Sequence, residues 1–483
     1  MQGYTIGWEV GAARDWLGPK NPLEDCISFS SSCWNKGFPS FVLPNVAPPL
    51  FPFSFRGFVD SMRTNLCLLC LTPLLWLWEL LRLTVYLLLV LPGCAPFCCQ
   101  RERRVQLRYG RSFRHTLDVH LPASGTPLPW VLSGLCPAPA ASSASGAGAL
   151  PLHGAGAAQR RPVFLFFSGG GWVLGCRLWG LPLAQRLASL GAICVLADHR
   201  NFPCARGEGM VEDVEAALEA VFAQVVPQFG GEPERVIVVG QSAGAHLAAC
   251  MLLRRAAAAA AAAAAVGAGP DASLLRDSLL PAAAAAASGP EALLSASRHP
   301  ALLPSPPPVH CFVGVAGVYD LQALRERLQA ICLGFVLPLA LGPEARLSPA
   351  RLLRDLQLAQ ADGARSAAAW QSHFPATLLL LHGGRDRVVP PASSQHFAEA
   401  LRAAGLGCTV TVLPGMGHAG PLLADLVLGD TQCLQGMLQG LAAGEAGQAA
   451  AGREGRAPEL APITFPATLP ACIVSAAKAV DPT

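Results

Sequence analysis

The run Val236-Ile-Val-Val-Gly-Gln-Ser-Ala-Gly-Ala-His246 constrains this chain more than any other stretch. Its apolar, β-branched start reads as a strand buried on both faces, and the alanine-rich sequence that follows reads as a helix. Between them, Gly240-Gln-Ser-Ala-Gly244 must turn so tightly that side chains two before and two after the serine would collide, so glycine is needed at both positions. Such a turn lifts the Ser242 hydroxyl clear of the sheet, at a helix N-terminus whose dipole favours developing negative charge. Ser242 is therefore the candidate nucleophile. The competing reading is a glycine-rich turn with a serine that only caps the helix.

A nucleophilic hydroxyl needs donors for the oxyanion it creates. Phe167-Ser-Gly-Gly-Gly-Trp172 follows an earlier predicted strand, and its consecutive glycines let backbone N–H groups face a ligand without side chains in the way. The expected donors are the amides of Gly170, Gly171 and Ala243, with Trp172 and Gln241 as further substrate-binding candidates. The base must be a histidine oriented by a carboxylate. His418, in a loop after the last predicted strand, and Asp386, after the strand before it, give the order Ser242, Asp386, His418. The rivals are His246, on the helix too close to the serine to swing round and so read as packing or supporting the helix, and His382 and Asp198, which read as residues pinning their loops.

Around these residues strands alternate with helices, which implies an α/β fold with a mostly parallel sheet. The expected strands are Leu117–Leu121, Val163–Phe167, Ala192–Ala197, Val236–Val239, Val309–Ala316, Leu378–Leu381 and Thr409–Leu413, with helices over 209–224 and 243–255. This catalytic domain is expected over 108–442, interrupted by a low-complexity surface insertion at 256–308 that holds two alanine tracts. Residues 1–64 read as an irregular leader and 443–483 as a disordered tail. Leu66 to Leu91 is long enough, at about 39 Å as a helix, to cross the roughly 30 Å core of a bilayer. Glu79 and Arg82 within it can pair at i and i+3. A membrane-anchoring helix is thus expected over 65–92. Arg101, Arg103, Arg104, Arg108, Arg111 and Arg114 follow the run, so the positive-inside rule puts the C-terminal part on the cytosolic side.

Charged residues make up 14% of the 483 residues and hydrophobic ones 52%, which excludes a highly charged disordered chain. A net charge of +3 gives no global field toward nucleic acid. The 17 cysteines are odd in number and irregularly spaced, so neither a disulfide scaffold nor a zinc site is expected. Cys94, Cys98 and Cys99, beside the apolar run, are candidates for acylation.

Taken together, the ordered motifs resemble the α/β-hydrolases of the hormone-sensitive-lipase-like carboxylesterase type and, more narrowly, the plant isoprenylcysteine methylesterases. The resemblance covers about residues 92–440. It rests on Tyr109-Gly110, Leu117-Asp-Val-His-Leu-Pro122, the Gly-Gly-Gly-Trp172 loop and Asp198-His-Arg-Asn-Phe-Pro203. Phe229-Gly-Gly-Glu-Pro-Glu-Arg235, Gly-Gln-Ser-Ala-Gly-Ala-His246, Val313-Gly-Val-Ala-Gly-Val-Tyr-Asp-Leu321, His382-Gly-Gly-Arg-Asp386 and Gly417-His418 complete it. Ser168 departs from the broader esterases, which have histidine before the glycines. The resemblance implies a serine esterase acting on prenylcysteine methyl esters, as small molecules or on prenylated proteins, at endoplasmic reticulum or Golgi membranes. Membrane lipid is then the expected partner, with no cofactor, no metal and no nucleic acid. The alternatives are a general carboxylesterase or lipid deacetylase, or a non-catalytic receptor on the hydrolase fold.

Overall fold

In the computed structural model the described residues are 103–126, 160–267, 309–330, 334–342, 346–361, 370–424, 427–449, 462–465 and 467–480, with 81, 85, 88, 89 and 92. The chain divides into two units, Met1–Leu81 and Arg82–Thr483, and the fold below is that of the second. The leader 1–64 and most of 65–92 lie outside the described residues. Among the described residues, no helix is long and apolar enough to cross a membrane.

Eight strands form one sheet: β1 (Arg104–Arg108), β2 (Thr116–His120), β3 (Arg161–Phe167), β4 (Ile193–Ala197), β5 (Gly231–Gln241), β6 (Cys311–Val315), β7 (Thr377–Gly383) and β8 (Cys408–Leu413). Their order across the sheet is β1-β2-β4-β3-β5-β6-β7-β8. β2 runs antiparallel to both β1 and β4, and every pairing from β4 to β8 is parallel. The described helices of six residues or more are α1 (Leu181–Ser189), α2 (Gly207–Ala220), α3 (Ala243–Gly267), α4 (Leu321–Ala330), α5 (Val336–Leu341), α6 (Pro349–Ala361), α7 (Ala392–Ala403), α8 (Gln432–Ala449) and α9 (Ala471–Val480).

The period-2 alternation of strand side chains divides the core into two layers. Leu165 and Phe167 of β3, with Val236 and Val238 of β5, face a layer that includes Val214 of α2, Leu247 of α3, Leu353 of α6 and Phe397 of α7. Their neighbours Phe164, Phe166, Ile237 and Val239 face the other layer, with Leu187 of α1 and Leu434 and Leu438 of α8. All four strand residues in each set are fully buried, which requires the near-continuous apolar runs seen in the sequence.

Three expectations need correction. The sheet starts at Arg104 rather than Arg108: β1 alternates half-buried Val105 and Leu107 with polar neighbours, and its arginines mask an edge strand. The first alanine tract does not open a surface insertion; it prolongs α3 to Gly267, with Ala256 and Ala260 buried in the core. Alanine is the strongest helix former, so low complexity here is compatible with order. The tail is ordered in part: α8 reaches Ala449, and α9 buries Ala477 completely. Ile463 and Phe465 pack on the second core layer, and the Arg186 guanidinium sits 4.2 Å over the Phe465 ring.

Glycine is required where β5 turns into α3. A Cβ on Gly244 would lie 2.3 Å from the Phe167 carbonyl oxygen, and one on Gly240 would lie 2.5 Å from the Ala245 Cα. These neighbours are backbone and cannot move aside. Gly407, by contrast, is exposed with nothing within 4 Å of its would-be Cβ. Gly244→Ala is therefore expected to destabilise the protein by at least about 2 kcal/mol in urea unfolding. Gly407→Ala should be neutral or stabilising by up to about 1 kcal/mol. Equal effects would contradict the close-contact account.

Candidate active site

In a parallel sheet, the place where strand order reverses leaves a crevice beyond the strands' C-terminal ends. Here the chain steps from β3 to β4 on one side and returns to β5 on the other. The glycine loop after β3 and Ser242 after β5 therefore meet at that crevice. Three non-glycine residues have positive φ among those described: Ser242 (50°), Trp172 (65°) and Ala316 (50°). They follow β5, β3 and β6 at this same end, and strained backbone of this kind gathers at functional sites. The Ser242 N–H is fixed by the Val315 carbonyl at 2.8 Å, and the His246 N–H by the Ser242 carbonyl at 3.0 Å, so the strained turn is held from both sides.

The structure brings Ser242, Asp386 and His418 together from three loops. The Ser242 Oγ lies 2.9 Å from His418 Nε2, and His418 Nδ1 lies 2.7 Å from Asp386 Oδ2. The other oxygen, Asp386 Oδ1, accepts the N–H groups of Val388 and Val389, each at 2.9 Å. Burial alone would raise the Asp386 carboxyl, but its hydrogen bonds to His382 and His418 outweigh that and hold it at about 2. Backbone bonds join the two loops: Gly384 N–H to Leu413 O at 2.8 Å and Arg385 N–H to Met416 O at 2.9 Å. This arrangement can take a proton from a serine hydroxyl and stabilise the imidazolium that forms.

The Gly169-Gly-Gly171 loop, which carries the expected donors, rests directly on the serine turn. A Cβ on Gly169 would lie 3.0 Å from the Ser242 Cβ, while Gly170 and Gly171 have φ of 121° and 60°. Trp172 is placed differently from the expected substrate-lining side chain. It is 5% exposed and donates its indole N–H to His246 Nδ1 at 3.2 Å. His246 Nε2 in turn meets the Leu347 carbonyl at 2.7 Å, so this ring carries its hydrogen on Nε2. Burial pushes the His246 imidazole down to about 4. His246 is thus a neutral strut between α3 and the donor loop. The Gln241 side chain is buried beside the same turn.

Asp198, the rival carboxylate, points elsewhere. Its two oxygens accept the Arg177 N–H at 2.8 Å and guanidinium at 2.7 Å. Sequence reasoning missed the residues around it. Asn201 Nδ2 donates to the Gly175 carbonyl at 2.7 Å, and Arg114 donates to the same oxygen. A Cβ on Gly170 would lie 2.3 Å from the Gly175 nitrogen, so Gly175 is the surface on which the donor loop is shaped. The Asp198-His-Arg-Asn-Phe-Pro run was the available signal, but its partner Arg114 reads from sequence as a topogenic charge. Among the described residues no cluster of His, Cys, Asp or Glu is arranged to hold a metal ion.

Residues 164–293 match the model of a family described as having the alpha/beta hydrolase fold. A protein named as a probable isoprenylcysteine alpha-carbonyl methylesterase of Arabidopsis thaliana is 26% identical over 73% of this chain and 67% of its own length. A rice protein of the same description is 28% identical over the same shares. Esterase LipQ of Mycobacterium tuberculosis is 29% identical over 56% of this chain and 52% of its own. The chain is therefore a carboxylic ester hydrolase of the α/β-hydrolase fold, similar over most of its length to the plant isoprenylcysteine methylesterases.

Proposed function

We propose that this enzyme removes the methyl group from S-isoprenylcysteine methyl esters, with Ser242, His418 and Asp386 as its catalytic residues. The observation that carries the catalytic reading is the continuous relay from the strained serine through His418 to Asp386. His418 takes the Ser242 proton as Oγ attacks the ester carbonyl. The amides of Gly170, Gly171 and Ala243 receive the oxyanion, in a site where fixed dipoles need no reorganisation. His418 then gives its proton to the departing methoxide, which leaves as methanol. Water, deprotonated by His418, attacks the acyl-serine and releases the free carboxylate. Asp386 holds the imidazole in the tautomer this cycle needs.

The methyl ester of a prenylcysteine as substrate is supported by the named plant relatives. A membrane site is supported by the apolar 66–91 run and the arginines after it, which favour a cytosolic catalytic domain at the endoplasmic reticulum or Golgi. The similarity to a bacterial esterase favours a second reading, a general carboxylesterase. A receptor that only binds ligand would have no need of His418 within hydrogen-bond reach of Ser242.

Purified full-length enzyme should hydrolyse S-farnesylcysteine methyl ester with kcat/KM at least about ten-fold above a short acetyl ester, followed by methanol release. The reverse ranking would favour the general carboxylesterase. Ser242→Ala should lower kcat by about 10³-fold or more; a rate within two-fold of wild type contradicts the mechanism. Because Asp386 is held at about 2, it stays ionised everywhere above pH 4. Asp386 should therefore contribute no ionisation step to kcat/KM between pH 4 and 7. A two-proton acid limb in kcat/KM would show that Asp386 titrates in the working range.

A further inference from the structure

Asp386 receives a second histidine that the relay does not use. His382, at the end of β7, is fully buried, and its Nε2 lies 3.1 Å from Asp386 Oδ2, the same oxygen that meets His418. That Nε2 also lies 2.8 Å from the Val389 carbonyl, which can only accept, so Nε2 carries a hydrogen. Nδ1 faces the hydroxyl of fully buried Ser394 at 2.7 Å, which pins the ring from the N-terminal end of α7. The one Nε2 hydrogen is therefore shared between the Val389 carbonyl and Asp386 Oδ2; with Val388 and Val389 on Oδ1 and two imidazoles against Oδ2, both oxygens of the carboxylate are contacted twice.

We propose that His382 is a positioning residue for the reaction: its Nε2–H, oriented by Ser394 from the rigid end of β7, holds the Asp386 carboxylate at the angle that His418 requires. This rests on the proposed Ser242–His418–Asp386 mechanism and deepens it. Asp386 stands on a loop, whereas His382 stands in β7, in register with Val412 of β8. Removing the imidazole leaves His418 as the remaining hydrogen-bond partner given for Oδ2 among the described residues, so the two can tilt together away from Ser242. A displacement of about 1 Å at a reacting group costs on the order of 10²-fold in rate. Because His382 faces Asp386 rather than the crevice, the loss belongs to turnover and not to substrate binding.

A set of variants at this position separates hydrogen bonding from packing. His382→Phe keeps a ring but has no donor, and is expected to lower kcat about 10²-fold with KM within about two-fold of wild type. His382→Gln, whose amide N–H extends toward Oδ2, should recover at least about ten-fold of that loss. Ser394→Ala leaves the ring but frees its orientation, and should lower kcat several-fold. Near-UV circular dichroism checks that each variant is folded, and Ser394→Ala decides the matter if His382 variants are not. The proposal is overturned if Phe and Gln variants are equally active, if KM rather than kcat changes, or if Ser394→Ala turns over at the wild-type rate when the His382 variants fail to fold. Activity surviving in Ser242→Ala would overturn the underlying mechanism instead, so the two failures are told apart.

Discussion

The contact between Gly244 and the Phe167 carbonyl sets the geometry on which the rest of the site depends. It lets α3 start against the C-terminal end of β3, which forces Ser242 into positive φ and seats it directly below the glycine loop. The proposed nucleophile and oxyanion donors are thus fixed relative to each other by backbone packing, not by side chains with rotamer freedom. The cost is a strained serine, which the Val315 carbonyl and the first turn of α3 hold in place.

Buried charge then does two separate jobs. On one side of the crevice, Asp386 is contacted by two backbone N–H groups and two imidazoles, which keeps it anionic and unable to rotate. On the other side, fully buried Asp118 accepts Arg177 at 2.7 Å and Arg104 at 2.8 Å, and Arg177 bridges on to Asp198. The antiparallel edge hairpin is thereby tied to the loop that shapes Gly175 and, through it, the proposed oxyanion glycines.

What the sequence made legible follows from which constraints are local. Strands β3, β5, β6 and β7 are buried on both faces and so announce themselves as apolar runs. The serine turn carries its glycines within two residues, and Asp386 and His418 each follow a strand on the side where such a sheet places its chemistry. Strand β1 was hidden because its exposed edge is written in arginine and glutamine. The roles of Asn201 and Arg114 were hidden for another reason: each depends on a partner far along the chain, Gly175, that no spacing rule links to it. The alanine tract misled because repetition suggests a low-complexity surface insertion, while its helix propensity and a buried face prolong α3.

The central claim is that Ser242 is the activated nucleophile, and the most direct measurement is the site of covalent reaction. Full-length enzyme treated with a fluorophosphonate should gain one adduct by intact mass, and peptide mapping should place it on Ser242. Its formation should slow by orders of magnitude when His418 is replaced by alanine. An adduct on another residue, or one on Ser242 that forms equally fast without His418, would contradict the account.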